Sequence, residues 1–370
     1  KDGVIAKLHK GLQGLVKSRG ITFVEGYGKL VANNAVEVNG VKYIGKNVIL
    51  ATGSYAKTLP GLEIDGKRVI TSDHGTKLDY IPKSVIVLGG GVIGCEFASV
   101  WKSFGSEVTI IEGLPHLIAL EDESSSKLLE RAYRKRGINF ELGTRFKSHT
   151  VTADGVTVEL EDGRTFSAEL LLVSVGRGPV SANLGYEEQG ITMDRGYVLV
   201  DNKCRTNVPG IWAVGDLIPT LQLAHVGFQE GILVAEEIAG LNPRPINYDG
   251  VPRVTYSEPE VASVGLTTAQ AKERGHDVIE LNYDLAGNGK AQILGTSGSI
   301  KLVGQKNGPV LGIHMVGSRV GELLAEAQLI FNWEATADDV APLIHAHPTM
   351  SEAMGEAHMA LAGKPLHAHG

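Results

Sequence analysis

Cysteine is nearly absent: the 370 residues carry two thiols, Cys95 and Cys204, far apart in the chain. Two isolated thiols exclude a disulfide framework and fit a reducing compartment, so the cytoplasm is the expected location. No apolar run is long enough to cross a bilayer, and no signal or transit pattern opens the sequence. Charge of one sign is never blocked. The 35 basic and 42 acidic residues leave a net −7 spread along the chain, which argues against nucleic acid or an anionic membrane surface as partner. No metal site is expected.

Glycine, in contrast, is abundant, at 47 residues, about twice its usual share, and this points to tight turns or loops that approach phosphates. With 43% hydrophobic residues and a length beyond one ordinary core, two or three domains are expected. The opening Lys1-Asp2-Gly3 lacks an initiator Met and already lies in a helical pattern, so the chain reads as part of a longer one.

Residues 4–18 place Val4, Ile5, Leu8, Leu12, Leu15 and Val16 at helical spacing before Gly20. Runs at 21–25, 29–31, 35–38 and 48–50 read as strands, with turns at Asn33-Asn34 and Asn39-Gly40. The last run ends in Ala51-Thr52-Gly53-Ser54, a small-residue tip where a ligand could approach, although a plain strand exit explains it as well.

The apolar run 84–88 feeds Gly89-Gly90-Gly91-Val92-Ile93-Gly94, followed by a helical stripe, Gly105, a second strand at 107–111 and Glu112 at its tip. This β-α-β context gives the glycines a dinucleotide-binding reading. Gly89 allows the tight turn, Gly91 lets the backbone approach a pyrophosphate on the helix N-terminus with the amides of Val92 and Ile93 behind it, and Gly94 lets helix and strand pack closely. Glu112, about twenty residues on, is placed to accept ribose hydroxyls and to repel a 2′-phosphate, so NAD is expected over NADP.

A helix over 123–136 ends at Gly137, and Asp154-Gly155 and Asp162-Gly163 mark an antiparallel meander. The apolar strand 170–175 ends in Gly176-Arg177-Gly178-Pro179, at the sheet edge where ligands bind. Strand 210–214 ends in Gly215-Asp216 before a helix over 225–240, so Asp216 is either an N-cap or a group that accepts a cofactor hydroxyl. Pro243 and Pro245 mark a linker, and a boundary falls near residue 247. Beyond it, 251–265 and 299–311 are strand-like, 320–330 and 337–343 are helical, and His345-Ala346-His347-Pro348-Thr349-Met350-Ser351-Glu352 precedes a last helix. An imidazole beside a carboxylate suits acid-base work near neutral pH, but spacing alone does not choose between His345 and His347.

Taken together, 51–54, 89–96, 175–179, 211–216, VPRVTYSEPEVASVG at 251–265 and IHAHPTMSE at 344–352 resemble the flavoprotein disulfide reductases, and the dihydrolipoamide-oxidising branch above the others. The resemblance spans essentially the whole chain. It implies an α/β architecture of two Rossmann-like nucleotide-binding domains, the FAD domain incomplete, plus an α+β dimerisation domain. The expected segments are 1–80 and 201–246 for FAD, 81–200 for NAD and 247–370 for dimerisation. It further implies that Thr52, Gly53 and Asp216 contact FAD, that Gly89, Gly91, Val92, Ile93, Gly94, Glu112 and Gly176 bind NAD, and that Glu96 lies near the nicotinamide, where a surface helix carboxylate is the bland alternative. His347, preceding a cis proline, would take a proton from a dihydrolipoamide thiol in the partner subunit's site, and Glu352 would orient it; His345 would be a bystander. The implied partners are a second copy and the lipoyl-bearing acyltransferase of 2-oxo acid dehydrogenase complexes.

The family also carries a first GxGxxG for FAD and two cysteines separated by four residues, and neither occurs in these 370 residues. Cys95 and Cys204 read as inert, partly buried thiols. These residues alone are therefore expected to hold FAD weakly or not at all and to leave lipoamide unreacted. The competing readings are a non-catalytic NAD-binding dimer and a pyridine nucleotide transhydrogenase, which needs no disulfide. Glu112 disfavours glutathione reductase, and the lack of a C-terminal cysteine pair disfavours mercuric reductase.

Overall fold

A computed structural model describes residues 1–32 and 34–367. The chain divides into two compact units, 1–55 with 179–246 and 56–178 with 247–370.

The first unit holds a three-stranded antiparallel sheet, Gly28–Val31, Ala35–Val38 and Val41–Ile44. Its second hairpin turns on Asn39 and Gly40, both at positive φ (51° and 79°), the conformation that a two-residue Asn-Gly turn requires. The 21–25 run forms no strand, because no described segment pairs with it and alternation alone supplies no ladder partner. Asn33 lies outside the described residues; Asn34 beside it has φ 51°. Strand Val48–Leu50 pairs in parallel with Ile211–Ala213, and Leu50, Ile211, Trp212 and Ala213 join Leu217, Leu233 and Val234 of the following turn and helix in one apolar core. Helix Asp2–Ser18 has the anticipated apolar stripe, yet Val4, Ile5, Leu8, Leu12 and Leu15 are exposed.

The second unit contains a parallel five-stranded sheet in the order Val69–Thr71, Leu170–Val173, Ser84–Leu88, Glu107–Ile111, Ile138–Glu141. Near-continuous burial on both faces explains why its central strands Leu170–Val173 and Ser84–Leu88 read as unbroken apolar runs. Helices Val92–Ser103 and Glu123–Arg136 cover one face through Ala98, Trp101, Leu129 and Tyr133. The meander Phe146–Val151, Val156–Leu160, Thr165–Ala168 covers the other through Val156, Val158 and Leu160. Helix Glu123–Arg136 starts on the Asp122 carboxylate, which accepts the Ser124 N–H at 3.0 Å, and stops at Gly137 with φ 75°.

A second, antiparallel sheet follows in the order Arg253–Thr255, Glu260–Gly265, Val310–Gly317, Ser299–Gln305, Val278–Asp284. Helices Leu324–Asn332 and Glu352–Leu361 pack on it. The run 251–265 holds two strands and 299–311 holds one strand and the start of the next, and Val278–Asp284 shows no uninterrupted apolar run because Glu280, Asn282 and Asp284 interrupt it.

Asp122 ties the two sheets of this unit together. Its carboxylate also accepts Lys301 Nζ at 3.0 Å and the Thr268 N–H at 3.1 Å. Burial pushes this carboxyl up, but the bonds from Ser124, Lys301 and Thr268 outweigh it and hold it well below the usual carboxylate range. Arg136 does similar work, donating to Ser99 Oγ and Ser103 Oγ, both at 2.8 Å, and to the Glu258 carbonyl at 2.7 Å.

Candidate active site

The glycine turn sits at the carboxyl end of strand Ser84–Leu88, where helix Val92–Ser103 begins. A Cβ on Gly94 would lie 1.9 Å from the Gly89 carbonyl oxygen, so helix and strand can meet only without a side chain there. Gly91 is the helix N-cap and cannot cap with a side chain, and the space where its Cβ would stand is empty. The first-turn amides of Val92 and Ile93 thus face an open cradle, as an incoming anion requires. Ser174 closes the rear of the turn, donating to the Leu88 and Gly89 carbonyls at 3.0 Å. Gly176 has φ 111°, open space at its Cβ position, and a carbonyl that accepts the Lys57 N–H at 2.9 Å.

Glu112 does reach this turn, but its visible bonds are to the backbone. Oε2 accepts the Gly90 N–H at 2.5 Å and Oε1 the Leu114 N–H at 2.7 Å. Glu96, one helical turn on, is half-buried and accepts the Tyr256 N–H at 2.9 Å; burial raises its carboxyl above the ordinary value.

Both histidines before the last helix have carboxylate partners, and exposure separates them. His345 Nε2 lies 2.8 Å from Glu326 Oε1 with only 12% of its side chain exposed. His347, whose bond to Pro348 is cis, places Nδ1 2.9 Å from Glu352 Oε1 with 78% exposed. Glu352 is itself anchored by the Thr349 N–H at 2.7 Å, and that bond leads the causes holding its carboxyl below the usual range. A carboxylate on Nδ1 fixes the tautomer in which Nδ1 carries the proton, leaving Nε2 as a base open to solvent.

In the first unit, Asp216 is not the cap of the following helix, which starts at Ala224 with Leu223 as its N-cap. It accepts Ser54 Oγ at 2.5 Å instead. Thr52 donates to the Val180 carbonyl at 2.5 Å, the Gly53 carbonyl accepts the Val180 N–H, and Gly53 has φ 72° with open space at its Cβ position. These residues cluster beyond the carboxyl tips of the parallel pair Val48–Leu50 and Ile211–Ala213, and such a carboxylate and open glycine fit the hydroxyl-rich chain of a flavin nucleotide. The sequence reading missed Glu230, a fully buried carboxylate that accepts the Gly215 N–H at 2.6 Å and Thr220 Oγ1 at 2.9 Å and so shapes the Asp216 turn. Its signal was a carboxylate on the buried stripe with Val226, Leu233 and Val234.

The thiols are more buried than the expected partial burial. Cys95 lies in the turn's own helix, where burial drives its pKa far up, and its Sγ is 3.3 Å from the Gly90 carbonyl. Burial pushes Cys204 up to about 12.

Residues 3–231 match the family model of the pyridine nucleotide-disulphide oxidoreductases, and residues 251–358 match that family's dimerisation domain. The chain belongs to this family. The dihydrolipoyl dehydrogenase of Bacillus subtilis is 41% identical to this oxidoreductase over 99% of the chain and 82% of the relative. A leghemoglobin reductase of Glycine max is 37% identical over 100% of the chain and 73% of the relative. The solved structure of LpdA from Mycobacterium tuberculosis superposes with a TM-score of 0.90 at 27% identity, over 97% of this chain and 81% of that one. Among the described residues, no helix of this family member is long and apolar enough to cross a membrane, and no three or more His, Cys, Asp or Glu side chains are grouped as a metal site would need.

Proposed function

We propose that this oxidoreductase serves dihydrolipoamide oxidation, with NAD as acceptor and FAD as its resident cofactor. The observation that carries the reading is the His347–Glu352 pair, a solvent-facing imidazole whose tautomer is fixed by an anchored carboxylate. Nε2 takes the proton of a substrate thiol, which leaves the sulfur as a thiolate, and Glu352 stabilises the imidazolium that forms. Gly89, Gly91, Val92, Ile93 and Gly94 receive the NAD pyrophosphate. Glu112 accepts ribose hydroxyls, Gly176 contributes to the NAD site, and Glu96 borders the nicotinamide end. Thr52, Gly53 and Asp216 hold FAD, which when bound supplies the two-electron step linking thiol and hydride chemistry. The match to a dimerisation domain supports a homodimer in which His347 serves the partner subunit's site, within a reducing cytoplasm and with a lipoyl-bearing acyltransferase as the protein substrate.

Dithiol oxidation also needs a redox cysteine pair, and both thiols present are sealed. A polypeptide of these 370 residues therefore binds NADH, by fluorescence titration, but forms none from dihydrolipoamide. The same residues preceded by a relative's segment carrying the FAD fingerprint and cysteine pair form NADH. Turnover without that segment would refute the role given to the cysteines, and dihydrolipoamide-independent behaviour with it would refute the substrate.

A further inference from the structure

Glu112 is expected to read the ribose, yet both of its oxygens are engaged by main-chain amides. Oε2 holds the Gly90 N–H at 2.5 Å and Oε1 the Leu114 N–H at 2.7 Å. The other side of Gly90 is fixed as well, since its carbonyl accepts the Ile118 N–H at 2.8 Å and faces Cys95 Sγ. Gly90 is pressed against the same loop. A Cβ there would lie 2.6 Å from Leu117 Cδ2 and 3.1 Å from Glu112 Cβ. The middle glycine of the turn is thus clamped between the tip of strand Glu107–Ile111 and the loop that follows.

We propose that Glu112 is a positioning residue for the pyrophosphate turn: by holding the Gly90 amide it sets the path of Gly89, Gly90 and Gly91, independently of any contact with ribose. The inference rests on the reading of this turn as a nucleotide site. Each carboxylate oxygen accepts one N–H and retains a second lone pair, so a ribose hydroxyl can still be bound. The bond also removes the Gly90 N–H from the donors offered to an anion, leaving that task to the amides of Val92 and Ile93. As a consequence, affinity and nucleotide preference are not separable at this position. A substitution meant to admit a 2′-phosphate loosens the turn that must hold the pyrophosphate.

The test compares ADP with its dideoxyribose analogue, which lacks both ribose hydroxyls, by calorimetry on the native chain, Glu112→Ala and Glu112→Gln. A hydrogen bond to a charged acceptor is strong enough that Glu112→Ala should bind the dideoxy analogue on the order of tenfold more weakly than the native chain, with Glu112→Gln between them. Equal binding of the analogue by all three, with only ADP weakened, would overturn the proposal. Amide exchange at Gly90 without ligand gives an independent readout: it accelerates in both variants if Glu112 holds the turn, and unchanged exchange counts against it. Should Glu112→Ala fail to fold, the isosteric Gln variant carries both comparisons. A native chain that binds neither nucleotide refutes the nucleotide reading, while the exchange result still decides whether Glu112 orders the turn.

Discussion

His358 should make the stability of this protein fall in mild acid. It lies on the inner face of helix Glu352–Leu361 and is fully buried. Nδ1 donates to the Met354 carbonyl at 2.7 Å, while Nε2 is buried with no partner among the described residues. Protonating Nε2 would place a charge and an unbonded N–H in an apolar setting, and burial accordingly pushes the His358 pKa from 6.5 down to about 4. The unfolded chain takes up this proton near pH 6.5 and the folded one only near pH 4. Stability from the neutral imidazole is therefore fully present above 6.5 and is lost as pH falls toward 4. At about 1.4 kcal/mol per pH unit the loss reaches about 3 kcal/mol. His358→Leu removes the titration and gives up one hydrogen bond, so at pH 7.5 it should lie within about 1 kcal/mol of the native protein. Urea unfolding of both proteins, at one protein concentration and at steps from pH 7.5 to 4.5, isolates the effect, since other acid-titrating groups cancel in the difference. The difference should move in the variant's favour by more than 2 kcal/mol between pH 6.5 and 4.5. A difference that stays constant within about 0.5 kcal/mol would refute the assignment of His358 as a buried neutral imidazole.

The glycine turn gives a contrast between neighbours. Gly91→Ala meets open space and should fold with near-native stability while losing NADH binding in a fluorescence titration, whereas Gly94→Ala, whose Cβ would sit 1.9 Å from the Gly89 oxygen, should lose its cooperative thermal transition. Both thiols are buried with raised pKa, so a thiol reagent should label none quickly in the folded state and two after denaturation; rapid labelling of either would contradict the burial. Lys301→Met takes the cation from buried Asp122 and from Glu280 and should cost roughly 3–5 kcal/mol in urea unfolding; a loss below about 1 kcal/mol would show that these ion pairs do not join the two sheets.

What the sequence made legible was whatever is enforced locally. Helix Glu123–Arg136 could be placed from its pattern and the glycine that ends it, and the structure adds the capping aspartate at its start. His347 and Glu352 also lie only five residues apart across one short turn, but spacing did not choose between His345 and His347, and the pairing was expected from the family resemblance alone. Strand Val41–Ile44 was not anticipated, although the Asn39-Gly40 hairpin needs an arm on each side, whereas 21–25 alternated and found no partner among the described residues. Pairing is a tertiary fact, and period-two patterning is necessary for it without being sufficient.

The carboxylates were harder, for one shared reason. Glu96, Glu112, Asp122, Glu230 and Glu352 each accept a main-chain N–H, from Tyr256, Gly90, Ser124, Gly215 and Thr349 in turn. The donor in such a pair carries no letter, because every residue but proline supplies it, so only the acceptor can be seen in a sequence. Where donor and acceptor are two or three residues apart, as at Asp122 and Glu352, capping and turn geometry reveal the bond. At Glu112 and Glu96 the separations are 22 and 160 residues, and the side chain then looks like a ligand group or a surface charge although it is also organising backbone. A substitution at these positions should therefore be judged by what happens to the amide it leaves unpaired before any effect is assigned to a lost ligand contact.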